Sequence, residues 1–480
     1  MTGSERRGVT VVVPLFDDLP SIEECLLSLL EHVDLGRDRI LVVNDCGPAV
    51  DAVEGLVGRL LAGRPGVRYE RNPRNLGFVA TCNRAADLAD PQHDLLLLNS
   101  DTIVEPGFLD ELSAVLHAAP HHGIVCPRTN NATIASIPYY RRHPEADRDV
   151  ARSRQVHGQV AADLPRFSVM PVAMGFCFLV RRELIRDHGL FDPIFSPGYG
   201  EENDFCLRMG ALGYSSLVAH RVFVAHLGAR SFTGPRGRAL RAAHERILAR
   251  RHPHYSAAVD TYLNDDLDVV DRFADVLVPA DDVVKVVVDH GFWRGDRAVR
   301  SAVLAAAERA SAIGVSVTLT VPGWAVRRTR VRHPTLTVRR QGPVAELFDI
   351  AIVRAASATG DAVATAHRVA PRWLAVIDAE ARPTSAPGVA IARYSTAVVA
   401  SDAPASAIFD AAIANGRAPI DLELLRDRDR LVTAADGWGP VRRRQAPLRD
   451  RVVRQLEWLA PGPLELIRRR RRAQRERTQP

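Results

Sequence analysis

The sequence is poor in cysteine and has no long apolar run, and each absence excludes a class of protein. The 480 residues include only six cysteines, the last of them at Cys206. They are too few and too scattered for the disulfide framework of a small secreted protein. The charged N-terminus lacks the apolar segment of a secretory signal. No stretch approaches the ~20 apolar residues that span a bilayer. We therefore expect buried thiols and a cytoplasmic protein.

Positive charge is concentrated at the C-terminus. The whole chain has a net charge of +6, but residues 441–480 hold 13 arginines against four acidic side chains. This tail alone carries +9, which leaves −3 for the other 440 residues. Apolar residues make up 46% of the chain and charged residues 25%, the balance of a folded globular protein. The length exceeds one ordinary hydrophobic core, so two domains are predicted.

The first half alternates strand-like apolar runs with helical patterns. Ser21 and Glu24 have the spacing of a capping box at the start of the first helix. The order of elements predicts an α/β fold with a mostly parallel, Rossmann-like sheet covered by helices on both faces. The predicted strands are Val9–Leu15, 40–43, 67–70 and Asp94–Leu98, and the predicted helices are 21–30 and 77–88.

A second alternating series follows a shift in composition and predicts a second, smaller α/β domain. Its strands are expected at 283–289, 315–321, 350–353, 373–378 and Ala397–Ala400, with a helix at 296–313. The predicted organisation is an N-terminal domain at 1–262, an acidic linker at 263–282, the second domain at 283–440 and a basic amphipathic tail at 441–480.

Acidic residues follow the predicted strands of the first half, where parallel sheets bind ligands. Asp17 follows the first strand, Asp45 the second and Asp101 the last. A carboxylate in such a place can hold Mg²⁺ or Mn²⁺ while substrate phosphates complete the metal's coordination shell. For Asp45 or Asp101 taken alone, a role as a turn or helix cap is an equal alternative.

Two adjacent glutamates, Glu201 and Glu202, follow a Gly-Tyr-Gly loop and open a predicted helix. The helix dipole stabilises anions at this end, and such a carboxylate can act as a general base toward a hydroxyl group. Ordinary acidic enrichment in a first helical turn is the alternative. His226 ends a β-like run, where a lone histidine is more often structural than a ligand.

Taken together and in order, seven motifs resemble the family 2 glycosyltransferases, which have the GT-A fold. The similarity is greatest to rhamnosyltransferase-like and galactofuranosyltransferase-like members. It covers about residues 8–235 and implies that the catalytic machinery lies in the first half. The motifs are VVVPLFDD, VVNDCG, RNPRNLGF, LLLLNSD, GFCFLV, GYGEENDFCLR and VAHLGARS.

The resemblance implies a nucleotide-sugar site. Asp17 and Asp45 match positions that hold the base and the ribose of the nucleotide. Asn75 and Gly77 match a loop that lies close to the nucleotide-sugar. The same site is expected to include Pro14, Phe16, Asn99, Ser100 and Gly175.

The resemblance also implies a divalent cation, Mn²⁺ or Mg²⁺, held by Asp101 and His226. Asp101 matches the last acidic residue of an Asp-x-Asp metal motif. The first position of that motif is Asn99 here, so one carboxylate remains instead of two. His226 matches a histidine that helps to hold the cation, which restores a second protein ligand.

By the same resemblance, Glu202 is the general base, with Glu201 beside it and Asp204 on the same helical turn. This implies inverting transfer of a hexosyl or deoxyhexosyl group from a UDP-, dTDP- or GDP-sugar. The expected acceptor is a glycan, a glycolipid or other lipid-linked acceptor, or a polysaccharide of the cell surface or cell wall.

Two other functions remain open. A nucleotidyltransferase can share such a sheet and a metal carboxylate, but it would need a glycine-rich, basic segment near the first strand. The segment PLFDDLPS offers neither. A non-catalytic scaffold with the same fold is the other alternative, and Asn99 is the one feature that favours it.

The second half has no GxxxxGK[ST] motif and no GxGxxG after a strand. It can position an acceptor, mediate oligomerisation or be a degenerate second transferase domain. For His290, Gly291 and Trp293, which follow its first strand, packing is favoured over ligand binding.

The tail predicts either peripheral contact with an anionic membrane or a solvated charged end. Nucleic acid is not an expected partner, because the rest of the chain is slightly acidic.

Overall fold

The structure of the protein, a computed structural model, divides into two compact units. The first extends to Val283 and takes in a short segment at 345–349, and the second begins at Val284. The predicted tail at 441–480 lies outside the described residues. The structure describes residues 6–138, 149–228, 235–263, 267–294, 297–331, 333–340, 346–377 and 385–434.

In the first unit, the described strands form an eight-stranded sheet and a separate two-stranded pair. The order of the large sheet is β3-β2-β1-β4-β8-β6-β9-β7, and β5 pairs with β10. Only β7 and β8 run against their neighbours in the large sheet. The strands are β1 (Val9–Leu15), β2 (Arg39–Asn44), β3 (Val67–Arg71), β4 (Asp94–Leu98), β5 (Thr102–Ile103), β6 (His122–Arg128), β7 (Phe167–Met170), β8 (Cys177–Val180), β9 (Ser215–Phe223) and β10 (Ala225–His226).

Helices cover both faces of this sheet, and alternate residues of each central strand enter opposite cores. In β1, for example, Val12 packs into one core while Val11 and Val13 pack into the other. The predicted mostly parallel α/β fold is confirmed. The helices are α1 (Leu19–His32), α2 (Val50–Leu61), α3 (Phe78–Leu88), α4 (Phe108–Leu116), α5 (Val150–Val160), α6 (Arg182–His188), α7 (Glu201–Ala211), α8 (Pro235–Arg251), α9 (Tyr255–Thr261) and α10 (Val269–Leu277).

Helix α1 begins earlier than predicted, and the capping box of Ser21 and Glu24 does not form. Asp18 is the N-cap residue, and the Ser21 hydroxyl donates a hydrogen bond to Asp18 Oδ2 at 2.9 Å. The reason is Pro20, whose fixed φ suits the first turn of a helix and lets the helix start at Leu19.

The ends of several strands meet at one edge of the large sheet. Strand β1 pairs in parallel with β2 and β4, so Leu15, Asn44 and Leu98 end at the same side. Strand β8 is antiparallel to β4, and Leu98 pairs with Cys177 at its start. The residues after β1, β2 and β4 therefore share this edge with the residues just before β8.

The segment predicted as a linker, 263–282, includes the packed helix α10. This helix buries Val269 and Phe273, and Asp268 caps it by accepting a hydrogen bond from the Val270 N–H at 2.8 Å. Asp271 forms an ion pair with Arg128 at the end of β6, and both side chains are 1% exposed. Two of the acidic residues that suggested a linker, Asp268 and Asp271, are thus a helix cap and half of a buried ion pair.

The second unit contains a sheet of six parallel strands, ordered β13-β12-β11-β14-β15-β16. The predicted second α/β region is confirmed, but β13 was missed because only Leu336 is fully buried in it. The strands are β11 (Lys285–Val288), β12 (Ser316–Val321), β13 (Leu336–Arg340), β14 (Ile350–Arg354), β15 (Arg372–Ile377) and β16 (Ala397–Ala400). The helices are α11 (Arg297–Ala312), α12 (Gly360–Val369), α13 (Ala386–Tyr394), α14 (Ala405–Gly416) and α15 (Leu422–Ala434).

All six cysteines are free thiols, and five of them are buried. Burial raises the pKa of the Cys25, Cys126 and Cys206 thiols to about 12. The expectation of buried thiols was wrong for Cys46, which is half-buried in the turn after β2. Among the described helices, none has the length and apolar character needed to cross a membrane.

The buried ion pair predicts a strong effect of replacing Asp271. Asp271→Ala should lower the free energy of unfolding by about 3–5 kcal/mol, because it leaves the Arg128 guanidinium buried without a counter-charge. Asp187→Ala removes an exposed ion pair with Arg186 in the same unit and should cost at most about 1 kcal/mol. Urea unfolding followed by circular dichroism measures both, and equal losses would contradict a structural role for this pair.

Candidate active site

Asp45, at the end of β2, is buried and holds the loop that follows β3. Its Oδ1 accepts hydrogen bonds from the Asn72 side chain and the Leu76 N–H, both at 2.7 Å. Its Oδ2 accepts one from the Gly77 N–H at 2.9 Å, and Asn75 Oδ1 accepts another from the same N–H at 2.9 Å. The structure therefore brings Asp45, Asn75 and Gly77 together and makes the Asp45 carboxylate the anchor of this loop.

Gly77 allows the same loop to touch the segment that precedes α7. Its φ is +82° and its ψ is 163°, a conformation that only glycine adopts without strain. A Cβ at this position would lie 2.8 Å from Cβ of Pro197. The Val79 N–H also donates a hydrogen bond to the Pro197 carbonyl at 3.4 Å. The loop after β3 and the loop before α7 are thus in direct contact.

The predicted residues after β1 and β4 lie at the same sheet edge. Pro14 is half-buried in β1, while Phe16 and Asp17 are exposed beyond the end of that strand. Asn99 and Ser100 are half-buried after β4, and the Asn99 N–H donates to the Phe176 carbonyl at 2.8 Å. Exposed aromatic and acidic groups here remain accessible to a ligand.

Asp101 and His226 face each other, as the implied metal site requires. Strand β5 pairs Thr102 with His226 of β10, which fixes the backbones on either side. Asp101 Oδ2 lies 3.3 Å from His226 Nε2, and Asp101 is 4% exposed. The His226 ring stacks on Phe176 with 5.2 Å between ring centroids.

A hydrogen bond to the backbone determines which ring nitrogen of His226 carries a hydrogen. Nδ1 lies 2.7 Å from the Asn131 carbonyl oxygen, which only accepts, so Nδ1 carries a hydrogen. In a neutral imidazole Nε2 then presents a lone pair to the Asp101 carboxylate. A cation, either a proton or a metal ion, would suit the position between these two acceptors.

The donor set fits a hard divalent cation that takes its remaining ligands from a substrate. Within the described residues, no group of three or more His, Cys, Asp or Glu side chains is placed to hold a metal ion. Mg²⁺ is commonly held by one or two protein carboxylates, with substrate phosphates and waters as further ligands. The pair of Asp101 and His226 suits that kind of site.

The sequence motifs did not identify Asn130, which positions His226. Its Oδ1 accepts the His226 N–H at 2.8 Å, and its Nδ2 donates to the His226 carbonyl at 3.0 Å. Asn130 and Asn131 follow β6 at the same sheet edge, so the strand-end rule alone could have flagged them.

Glu201 and Glu202 open helix α7; Glu201 is buried and Glu202 is half-buried, and Oε2 of each is enclosed. In the described part of the chain, Oε2 of each has no hydrogen-bond partner. Burial raises the pKa of both carboxyls, and the charge of Glu202 raises that of Glu201 further. Backbone groups at the helix start lower the pKa of both carboxyls and so act in the opposite direction. The pair therefore favours a state in which one of the two carboxyls keeps its proton.

Gly175 and Phe176, just before β8, connect the two acidic centres. A Cβ at Gly175 would lie 3.2 Å from Cγ of Glu202, so the chain passes directly over this glutamate. The next residue, Phe176, carries the ring that stacks on His226. Glu202 and the Asp101–His226 pair thus lie on either side of one short segment.

Asp204, which the resemblance places on the helical turn of the proposed base as a further catalytic candidate, does not face the same way. Its carboxylate is fully buried and accepts hydrogen bonds from Arg208, Arg251 and His252 at 2.9, 3.2 and 3.0 Å. Two of these partners lie on or next to α8. Because both carboxylate oxygens have cationic or ring partners, we assign Asp204 a structural role in joining α7 to α8.

The loop before α7 has further support that the motifs did not reveal. Tyr199 has φ +77°, unusual for a residue with a side chain. His244 Nδ1 lies 3.0 and 2.8 Å from the Gly198 and Tyr199 carbonyls, and Arg241 lies over the Tyr199 ring, 4.4 Å from its centroid. Helix α8 therefore holds the turn that presents the two glutamates.

Comparison with known proteins supports the resemblance seen in the sequence. Residues 10–189 match the model of Glycosyl transferase family 2, which confirms the predicted family for this region. The match includes Asp45 and Asp101 and ends before Glu201 and His226. The rhamnosyl or galactofuranosyl subtype stays a prediction. No curated protein matches the chain.

Solved structures with partial similarity include two glycosyltransferases. The mannosyltransferase PcManGT from Pyrobaculum calidifontis, in complex with GDP-Man and Mn²⁺, is 19% identical with a TM-score of 0.40. That alignment covers 56% of this chain and 72% of the mannosyltransferase chain. GalNAc-T7 with UDP, GalNAc and Mn²⁺ is 15% identical with a TM-score of 0.40, over 53% of this chain and 52% of its own. Neither likeness is close enough to assign a donor or a metal.

The contact between Gly77 and Pro197 predicts that Gly77→Ala is more damaging than an ordinary glycine replacement. It should lower the free energy of unfolding by about 2–4 kcal/mol, from backbone strain plus a steric clash. Gly63→Ala is the matched control, since Gly63 has φ +69° but no atom within 4 Å of the added Cβ. The control should cost about 1–2 kcal/mol. Similar thermal unfolding of the two variants would argue against the close loop contact.

The raised pKa of Glu201 predicts a pH-dependent gain in stability for Glu201→Gln. A group whose pKa is higher in the folded state loses its stabilising contribution as pH rises through that pKa. The variant should therefore be more stable than wild type at pH 8, on the order of 1 kcal/mol, with a smaller difference at pH 5. Urea unfolding at both pH values tests this, with the exposed Glu24→Gln as control. A difference that does not change with pH would refute the raised pKa.

Proposed function

We propose that the first unit transfers a sugar from a nucleoside-diphosphate sugar to a hydroxyl group of an acceptor, with inversion at the anomeric carbon. One observation carries the proposal. The facing pair of Asp101 and His226 and the half-buried Glu202 flank the segment of Gly175 and Phe176 at the ligand-binding edge of the sheet. The family match over residues 10–189 supports glycosyl transfer as the reaction class.

The nucleotide is proposed to lie across the ends of β1, β2 and β4. The exposed Phe16 ring offers a stacking surface, and Asp17 offers hydrogen-bond acceptors. Asp45 shapes the site by holding the loop of Asn75 and Gly77. We propose a UDP-, dTDP- or GDP-sugar as the donor.

Asp101 and His226 would hold a divalent cation, Mn²⁺ or Mg²⁺. When bound, such a cation neutralises charge on the diphosphate leaving group. Asn130 and Asn131 support this role, because they fix the backbone and the tautomer of His226. Asn99 contributes no charge, so Asp101 supplies the single carboxylate of the pair.

Glu202 is proposed as the general base. It takes the proton from the acceptor hydroxyl, whose oxygen forms a bond to the anomeric carbon as the bond from that carbon to the diphosphate oxygen breaks. The nucleoside diphosphate leaves with the bonding electrons, and the sugar inverts. Glu201 assists by keeping its own proton, so that the charge of Glu202 has a neutral neighbour.

The acceptor is proposed to be a glycan, a polysaccharide or a lipid-linked glycan. Peripheral contact with the inner face of a membrane through the basic tail also stays a prediction, and that tail lies outside the described residues. The transferred sugar is proposed to be a hexosyl or deoxyhexosyl group.

The proposal predicts separate effects at the two acidic centres. Asp101→Ala and His226→Ala should abolish metal-dependent binding of the nucleotide-sugar, whereas Glu202→Gln should spare binding and lower turnover by about 10²–10⁴-fold. A screen of UDP-, dTDP- and GDP-sugars with Mn²⁺ or Mg²⁺, by calorimetry and donor hydrolysis, measures both. Chelation by EDTA should have the same effect as Asp101→Ala.

Exposed residues of the same types provide the controls. Asp51→Ala on α2 and His254→Ala next to α9 should leave binding and turnover within twofold of wild type, since neither touches the site. If no nucleotide-sugar binds under any metal condition, the transferase proposal fails and the scaffold alternative replaces it. If Glu202→Gln keeps full turnover, Glu202 is not the base.

A further inference from the structure

The second unit has a topological switch point that the proposed function does not use. From β11 the chain proceeds outward to β12 and β13 on one side, then returns to place β14, β15 and β16 on the other. The loops after β11 and β14 therefore diverge from two neighbouring strands. In open parallel sheets of this order, ligands bind in the crevice between two such loops, and dinucleotides are one known example.

A buried Asp–His pair lies at that crevice. Asp289 directly follows β11, and its N–H donates to the Ile352 carbonyl of β14 at 2.9 Å. Asp289 Oδ1 lies 2.8 Å from His290 Nδ1, while Oδ2 accepts the Gly291 N–H at 2.8 Å. The carboxylate thereby orients the imidazole and holds a hydrogen on Nδ1.

The other ring nitrogen of His290 is buried without a partner. The residue is 4% exposed, and in the described part of the chain Nε2 makes no hydrogen bond. With the hydrogen on Nδ1, Nε2 is an acceptor directed away from Asp289. Buried polar atoms in native proteins nearly always have partners, so an orphaned acceptor at a ligand-binding position calls for a donor from outside the chain.

Gly291 and Ser357 shape the space beside this pair. A Cβ at residue 291 would lie 2.6 Å from Ser357 Oγ and 2.8 Å from Asp289 Oδ2. A side chain at this position would clash with both oxygens, so glycine lets the turn after β11 approach Ser357, which belongs to the short 3-10 turn after β14. Both sides of the crevice thus contribute polar groups to one place.

Besides the Asp289 carboxylate, two arginines lie at this sheet edge and can attract an anionic group. Arg354 ends β14, and Arg340 ends β13 at the same side of the parallel sheet. A Cβ at Gly323, just after β12, would lie 3.1 Å from Arg340 Nε, so the guanidinium lies close over this edge. Guanidinium groups suit phosphate, and a buried acceptor with an adjacent hydroxyl suits a sugar hydroxyl.

We propose that this crevice binds a nucleotide, with a ribose hydroxyl donating to His290 Nε2 and the phosphate toward the arginine-bearing strand ends. The site is independent of the proposed transferase centre and needs no metal ion. It would make the second unit a nucleotide-binding module.

The test uses the full chain carrying Asp101→Ala, in EDTA, so that metal-dependent binding at the first unit does not contribute. Calorimetry with UDP, GDP and ADP should detect one equivalent of at least one nucleotide per chain. Adding His290→Gln or Ser357→Ala should weaken that binding at least about tenfold, the effect of one lost hydrogen bond to a buried partner. His333→Gln, at the opposite edge before β13, should leave it unchanged.

Two results would overturn the proposal. One is the absence of metal-independent binding of all three nucleotides to a chain whose thermal unfolding matches wild type. The other is binding that survives both His290→Gln and Ser357→Ala. If His290→Gln lowers the unfolding temperature, the milder Ser357→Ala decides the outcome. Failure of the transferase proposal would appear separately, as missing metal-dependent binding in the chain with Asp101 intact.

Discussion

The antiparallel pairing of β4 with β8 is the constraint on which the candidate active site depends. Leu98 is opposite Cys177, so the turn after β4 and the segment before β8 are adjacent, and the Asn99 N–H bonds to the Phe176 carbonyl. The first turn carries Asp101, and the segment carries the groups that contact His226 and Glu202. A shift of one residue in this register would turn the alternating side chains to opposite faces and separate the two centres.

The two acidic centres are arranged in different ways. Asp101 has a fixed partner in His226, and the partner is itself held by Asn130 and Asn131. Glu201 and Glu202 instead each have a buried Oε2 without a partner in the described structure. Burying such an atom lowers the free energy of unfolding, and the rest of the unit must offset that loss. The apolar cores on the two faces of the large sheet provide this compensating stability.

Much of the fold followed from the sequence. Strands β1 and β4 were predicted at their observed bounds, because continuous β-branched or leucine runs are typical of strands covered on both faces. The strand ends then indicated where Asp45 and Asp101 would lie. The start of α1 was not predicted, because Pro20 lies in its first turn. Helix α10 was not predicted, because its acidic residues resemble those of a linker.

The candidate site was only partly predictable, because some of its residues act through contacts that the local sequence does not show. Residue types and order suggested Glu202 and His226. Asn130 and Asp204 acquire their roles through distant partners, His226 and His252, which lie 96 and 48 residues away in the chain. Residues that contact a ligand therefore stand in recognisable sequence motifs. Residues that orient them are recognisable only from contacts between distant parts of the chain.

The ion pair between Asp271 and Arg128 also determines how far a functional fragment of the first unit must extend toward the C-terminus. Arg128 ends β6, and Asn130 follows it by two residues. A fragment that stops after the seventh motif would retain each implied ligand and base but omit α8 and α10. It would leave a buried guanidinium next to the residue that holds His226, and the turn at Tyr199 would lose its support from His244. The boundary of the functional module therefore lies beyond Leu277, well past the end of the recognisable family sequence.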